Sequence, residues 1–497
     1  MLSAAFAAFQ WLALLYFAGI NGGYILLNVI TFFSLPRHMQ RHVLLDLPQP
    51  HNDFEPPVSL IVAAYNEASV IADSVRSLLQ LDYSEFEIIV VNDGSKDDTL
   101  AVLRREFDLV PFPEAFRQRL RHQPVKAVWQ SRLHPELRVI DKQNGGCKSD
   151  AVNAGINAAR YPLFTALDAD TILQRDSVRL LVQPFLEDPH TVASGGIVRI
   201  ANGCEVTRGF PTRVALPARP LALFQIVEYL RAFLFGRIGW SALNALPLIS
   251  GAFGLFHRES VIQLGGYRHD TLGEDMELVL RLHRQYRLQR KPYRITFVPD
   301  PVCWTEAPVD LRTLRNQRIR WQRGLMESLL MNRQLIFHPR SGALGWLAMP
   351  FLLVFEGFGP IMEVGGYAVV TLGFLLGAVS PAGFLAFTSV AVGLGTVLTL
   401  TSLLLEQSAF NTYPRPADLL RLLSVALVEN LGYRQMTAVW RLQGLWRWAR
   451  RRQSSWGAMA RSASWAVETG TAAPAPDLDA GVRSAADPQP AAQRRAS

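Results

Sequence analysis

The chain has 497 residues, long enough for two or three domains, with 49% apolar and 19% charged side chains and a net charge of +8. Its three cysteines, Cys147, Cys204 and Cys303, stand in unrelated contexts, which excludes a disulfide framework and a Cys/His zinc centre. The positive charge gathers where apolar tracts end, as in "PRHMQRH" and "RLQGLWRWARRRQ", and no base-reading motif accompanies it, which argues against a nucleic-acid partner.

Met1 to Pro36 holds no charged residue, and residues 4–34 suit one long, tilted membrane helix. The tract lacks a basic leader and a small-residue cleavage site, so 1–36 reads as an uncleaved N-terminal transmembrane helix rather than a signal peptide. A polar, Pro-rich linker fills 37–56. Next, "VSLIVAAYNE" is a short apolar run ending in polar residues, and "ASVIADSVRSLLQL" has helical spacing. "FEIIVVNDGSKDDT" is a second buried strand, closed by an acidic turn. "LRVIDKQNGGCKSDAVNAGINAAR" repeats the order strand, loop, helix, and "YPLFTALDADTIL" ends a further strand on acid. Such alternation predicts an α/β domain with a parallel sheet and ligands beyond the carboxyl ends of its strands. Residues 108–136, rich in Pro, Arg and His, read as an insertion with little regular structure.

Within 217–249 an amphipathic stretch is broken by Glu228, Arg231 and Arg237, which predicts an interfacial helix belonging to a soluble domain over 57–335. Transmembrane and interfacial helices are expected over 342–445. There, 343–379 forms a kinked span or a short hairpin, 382–405 a clear span, and 417–440 either a crossing or an interfacial segment. Glu356, Glu363 and Glu429 face either a polymer channel or a packing partner, because ionisable groups are costly in lipid. The tail, 446–497, is basic and then low in complexity, with disorder expected. Basic flanks place the central domain in the cytoplasm, which makes the C-terminal crossings even in number.

Five polar clusters fall on one edge of the expected sheet. In "LDADT", Asp168 and Asp170 are too close to stay ionised cheaply without a cation, and Mg2+ or Mn2+ shared with substrate phosphates would serve. In "VVNDGSKDD", Asp93 can accept from a nucleotide base while Gly94 permits close approach. "AAYNE" offers Tyr65 for stacking and Glu67 for hydrogen bonding. "NGGCKSD" sets Lys148 at a helix start, where backbone N–H groups and an ammonium together suit phosphate. "TLGEDMELVLRLH" opens a helix on Glu274 and Asp275, one of them a candidate general base. Taken singly, each also reads as turn or helix-cap chemistry.

A sixth stretch, "RNQRIRWQRG", is a membrane-surface collar or part of a site. With the five clusters, its "QRIRW" resembles the Gln-x-x-Arg-Trp signature of processive, membrane-embedded family-2 glycosyltransferases, the branch of cellulose, chitin, hyaluronan and poly-N-acetylglucosamine synthases. The resemblance covers about 57–325 and implies a GT-A fold with a mixed, mainly parallel sheet, flanked by transmembrane and interfacial helices. It implies that Tyr65, Glu67 and Asp93 bind the nucleoside of a UDP-sugar and that Lys148 approaches the nucleotide. Asp168 and Asp170 would hold sugar and metal, Asp275 beside Glu274 would be the base, and Gln317 and Arg320 would hold the diphosphate. Trp321 would be the platform for the growing polysaccharide, and Ser250 and Gly251 of "SGAFGLF" would belong to its acceptor-side loop. One departure is Gly273, where relatives often carry Thr before the Glu-Asp pair.

The implied function is an inverting, processive synthesis of an exported β-polysaccharide from UDP-N-acetylglucosamine, in the bacterial inner membrane, with the bilayer as a partner and any export or regulatory subunit unidentified. Alternatives are a UDP-glucose-dependent β-glucan synthase, a single-sugar transferase to a polyprenyl phosphate, and a non-catalytic nucleotide receptor. Retention of all the carboxylates and of the Gln-x-x-Arg-Trp signature weighs against the last two.

Overall fold

The computed structural model describes residues 2–45, 55–207, 210–231, 236–410 and 412–451. Most of the tail, from 452, and linker residues 46–54 lie outside this set. The first helix, α1, runs Leu2–Leu45, continuing past residue 36, where the linker was expected to begin.

The strands are β1 (Val58–Ala64), β2 (Phe86–Asn92), β3 (Leu109–Pro111), β4 (Val125–Ser131), β5 (Leu137–Lys142), β6 (Leu163–Asp168), β7 (Ile172–Leu173), β8 (Thr191–Ile200), β9 (Glu205–Thr207), β10 (Phe210–Arg213), β11 (Gly254–His257) and β12 (Arg294–Thr305). Interspersed are α2 (Ile71–Leu78), α3 (Thr99–Glu106), α4 (Lys148–Ala158), α5 (Ser177–Glu187), α6 (Pro220–Tyr229), α7 (Gly236–Ala242), α8 (Arg258–Gln263), α9 (Glu274–Leu288) and α10 (Leu311–Met331). Ten strands make one mixed sheet in the order β3-β4-β5-β2-β1-β6-β11-β8-β12-β7. β5, β2, β1 and β6 are mutually parallel, while β11 runs antiparallel between β6 and β8. The central strands are apolar along their length because both faces are covered.

The 108–136 segment departs from expectation. It contributes β3 and β4, which extend the sheet antiparallel to β5. β4 is only half-buried and its register shifts between Val125 and Ala127, so no clean apolar alternation marks it.

Two helices, Ala8–Ser34 and Pro381–Phe410, are long and apolar enough to cross a membrane. The pair Leu344–Gly357 and Gly359–Leu375 passes the same test with a 42° bend between its parts, over the stretch where a kinked span or a short hairpin was expected. Residues 416–449 form two helices, Pro416–Val428 and Arg434–Ala449, broken where Leu431 and Gly432 leave helical geometry. These apolar segments make the chain membrane-associated. The stretch at 217–249 is helical over Pro220–Tyr229 (α6) and Gly236–Ala242 (α7), with 232–235 outside the described residues; α7 packs on α1 and β12.

The acidic groups of this region are packing partners. Arg441 Nη2 donates to Glu356 Oε2 at 2.7 Å, and Arg441 Nη1 lies 3.8 Å from Glu363 Oε1. Tyr24 donates to Glu356 at 2.6 Å and Tyr16 to Glu363 at 3.1 Å. Arg441 Nε also donates to Gln322 Oε1 at 2.9 Å, tying α10 to both membrane-helix groups. Glu429 pairs with Arg231 at 2.8 Å. Paired this way, the three glutamates hold helices together, as the second of the two expectations had it.

Candidate active site

The carboxyl ends of β1, β2, β5 and β6 share one edge, and register aligns the functional side chains along it. Asn92 sits opposite Ala64 and Asp141, and Asp168 sits opposite Ala63. Asp93 and Asp168 are thus about 10 Å apart across two strand spacings. The first two loops are laced together. Asn66 N donates to Ser95 Oγ at 3.0 Å, Lys96 N to Asn66 Oδ1 at 2.7 Å, and Glu67 N to Thr99 Oγ1 at 2.9 Å. Tyr65 stands exposed at their rim. Gly94 has φ +66°, and a Cβ on it would lie 2.8 Å from Asn144 N, so this turn needs glycine.

Asp93 is buried. Its carboxylate accepts from Gly145 N at 3.0 Å and from Lys142 Nζ. Lys142, whose side chain is fully buried, also pairs with Asp150 at 2.5 Å. Its charge therefore ties Asp93, which also holds the Asn144–Gly146 turn, to Asp150 of α4, a role absent from the expectations above. The available signal was a lysine ending a buried strand, which requires a carboxylate partner.

Lys148, the first residue of α4, donates to Asp168 Oδ1 at 2.6 Å and to the Gly251 carbonyl at 2.7 Å. The N–H of Gly251 donates to Asp275 Oδ2 at 3.1 Å. One residue of the "SGAFGLF" loop, Gly251, thereby bridges the helix-start lysine and the candidate base through its carbonyl and its N–H. Asp275 Oδ1 also accepts from Met276 N at 2.7 Å, at the N-terminus of α9. Burial raises the Asp275 carboxyl above its usual range, and burial with the neighbouring Asp275 charge pushes Glu274 up to about 7. Arg237, expected only as a break in an interfacial helix, is buried close enough for its charge to reach Asp275.

The "RNQRIRWQRG" stretch lies within α10 and divides by face. Arg315 bonds Gln443, Arg318 pairs with Glu228 at 2.6 Å, and Arg323 pairs with Glu327 at 2.6 Å. Gln317, Arg320, Trp321 and Gly324 recur at helical spacing on the face turned to α9. Gln317 Oε1 is buried with no hydrogen-bond partner among the described residues. The Arg320 charge is felt at Glu274, and Trp321 carries the Arg318 guanidinium 4.4 Å from its ring centroid. The contact that seats α10 is glycine on glycine. A Cβ on Gly273 would lie 2.9 Å from the Gly324 carbonyl, and Ser328 Oγ donates to Gly273 O at 3.0 Å. A side chain before the Glu-Asp pair has no room here.

Asp170 is buried and its Oδ2 accepts from Thr305 at 3.4 Å, while Asp168 is about one-third exposed. This pair fits a hard divalent cation that takes its other oxygens from a diphosphate and water. Among the described residues no cluster of three or more His, Cys, Asp or Glu offers a self-sufficient metal cage. Chelation of divalent cations is expected to abolish turnover. Asp170→Asn should raise the cation concentration for half-maximal rate at least tenfold. UDP release measured against added Mn2+ checks this; full activity in excess chelator would sink it.

Residues 59–264 match the family described as glycosyl transferase family 2, and residues 163–400 match glycosyl transferase family group 2. Over these residues the α/β sheet is that of a region similar to family-2 glycosyltransferases, a class whose GT-A members work with a divalent cation. The chain carries a family-2 glycosyltransferase domain. It is similar to the poly-β-1,6-N-acetyl-D-glucosamine synthase of Staphylococcus aureus strain COL, at 29% identity over 301 residues, 60% of this chain and 61% of that protein. The protein of that name from Staphylococcus epidermidis is 27% identical over 352 residues, 70% of this chain and 71% of that protein. Among solved structures, it is similar to mannosyltransferase PcManGT from Pyrobaculum calidifontis in complex with GDP-Man and Mn2+. That match has TM-score 0.49 and 19% identity, covering 85% of this chain and 99% of the other. The chain spans 61% of the length of the first relative it matches.

Proposed function

We propose that the protein is an inverting, processive β-glycosyltransferase that polymerises N-acetylglucosamine from UDP-N-acetylglucosamine, with a cytoplasmic catalytic domain on a multi-pass membrane scaffold. The observation that supports this reading is Gly251, whose carbonyl and N–H join Lys148, beside Asp168, to Asp275, with the Arg320 charge of α10 felt at the neighbouring Glu274. Tyr65, Glu67 and Asp93 take the nucleoside, and Lys148, Gln317 and Arg320 take the diphosphate. A cation on Asp170 and Asp168, Mg2+ or Mn2+, would neutralise charge on the leaving phosphates when bound. As the anomeric C–O bond to diphosphate breaks, Lys148 and Arg320 stabilise the charge growing on the departing oxygens. Asp275 takes the proton from an acceptor hydroxyl, and that oxygen bonds to the anomeric carbon from the opposite face. One displacement turns an α-linked donor into a β-linked product, and no enzyme nucleophile is needed. Trp321, over a third exposed at the mouth, offers a face to the terminal sugar.

The test supplies the full chain in nanodiscs with Mn2+ and either UDP-N-acetylglucosamine or UDP-glucose, follows UDP release and sizes the product. A high-mass polymer from UDP-N-acetylglucosamine is expected. Polymer from UDP-glucose alone would make it a β-glucan synthase, and a lipid-linked monosaccharide would end the processive reading.

A further inference from the structure

A second charged cavity lies at the far end of α9. It has a volume of about 540 Å³, and its lining includes Arg287, Arg290, Lys291 and Arg340. Twelve helical residues separate Arg287 from Asp275, about 18 Å along the axis, so the cavity is distinct from the donor site. Arg287 is held in place: its Nε donates to Tyr293 OH at 2.7 Å and its guanidinium lies over that ring at 5.2 Å. Arg340 donates to the Leu288 carbonyl at 3.3 Å, closing the cavity from the segment that leads into the membrane helices. Arg290 and Lys291 are exposed at the rim. The one carboxylate in the lining, Asp188, is engaged by His190 at 3.0 Å, and none of the four cations has an ion pair with a carboxylate among the described residues.

Directly beside these charges the surface turns apolar. Phe337 and Trp346 are each at least half exposed and meet edge to face with centroids 5.5 Å apart; Leu347 is exposed next to them. Trp346 Nε1 donates to the His338 carbonyl at 3.1 Å, two residues before Arg340. Trp346 lies in Leu344–Gly357, the first part of the bent apolar pair. An amphipathic aromatic pair next to a run of unneutralised cations is the layout of a membrane–water interface on the side bearing anionic lipid.

We propose that this cavity binds the phosphate-bearing headgroup of an anionic phospholipid whose acyl chains lie against Phe337, Trp346 and Leu347. Arg287 supplies a fixed fork for the phosphate, which suits a planar guanidinium, and Arg290, Lys291 and Arg340 close around it. A free phosphate ion offers the same charge but uses none of the apolar surface.

Native mass spectrometry of the full chain in neutral detergent tests this, with phosphatidylglycerol, phosphatidylcholine and inorganic phosphate as separate probes. The triple variant R290Q/K291Q/R340Q removes three exposed charges and leaves Arg287 and its Tyr293 contact intact. A charge-matched control, R117Q/R121Q/K126Q, removes three exposed charges elsewhere on the domain. Retention of phosphatidylglycerol over phosphatidylcholine is expected to fall at least tenfold in the first variant, at roughly fivefold per charge, and to stay within twofold in the control. Equal loss in both variants, no preference in the parent chain, or displacement of the lipid by an equal concentration of inorganic phosphate would each overturn the assignment.

Discussion

Replacing Asp275 with Asn is expected to slow UDP release by about 10³-fold while donor affinity stays within a few-fold. The substitution conserves shape, and its single amide oxygen keeps one of the two N–H bonds that hold this side chain, from Gly251 to Oδ2 or from Met276 to Oδ1. What disappears is the capacity to take a proton from the acceptor. Single-turnover UDP release and nucleotide-binding calorimetry separate the two effects; a rate within tenfold of the parent would remove Asp275 from the base role. The same carboxylate predicts a pH profile. Burial raises Asp275, its neighbour Glu274 is pushed up to about 7, and the two titrate as a pair. A base must be deprotonated, so activity should rise with pH along an acid limb set by the pair, above the range of an ordinary carboxylate. Stability runs the other way. Glu274 binds its proton more tightly folded than unfolded, so the stability it contributes is present below its unfolded pKa and is lost as pH rises through about 7. Glu274→Gln should therefore narrow the difference in Tm between pH 6 and pH 8, and an unchanged difference would refute the assignment.

Gly273→Thr is expected to cost about 10²-fold in turnover and to lower the Tm by several degrees. The new Cβ would lie 2.9 Å from backbone atoms of Gly324, which cannot rotate away as a side-chain tip can. Either α10 moves off or α9 unwinds at its first turn; overpacking of this kind typically costs about 1–3 kcal/mol. Both responses displace Gln317, Arg320 and Trp321 relative to Asp275, and a shift of about 1 Å between reacting partners is enough for a hundredfold loss. Ser328→Ala, which removes only the hydroxyl contact to Gly273, should stay within a few-fold. Parent-like turnover and Tm in Gly273→Thr would show that the glycine pair does not set the spacing.

Much of the site was legible because its residues end buried strands. β1, β2 and β6 are mostly apolar, buried runs that stop at Tyr65, Asp93 and Asp168, so sheet topology carried those groups to one edge. "QRIRW" was legible as a motif, but which arginines of the longer "RNQRIRWQRG" stretch are held by other partners was not. That depends on Glu228, Gln443 and Glu327, two of them about a hundred residues away, which hold Arg318, Arg315 and Arg323. Lys142 and Arg237 were missed for the same reason: a buried cation is meaningful only once its partner is known. β4 was missed because half-buried edge strands lack an apolar run. The membrane glutamates remained ambiguous because Arg441 lies 85 residues beyond Glu356.

That arginine bears on how the protein is made. Arg441 reaches Gln322, 119 residues earlier and adjacent to Trp321, and meets carboxylates already bonded to tyrosines of α1. At ribosomal speeds of about 5–20 residues per second, α10 is finished roughly ten seconds before its last anchor exists. The donor half of the site, from β1 to β12, needs nothing from that anchor. The chain therefore completes the strands proposed to hold the donor first, and α10 gains its Arg441 contact only when synthesis of Arg434–Ala449 is under way.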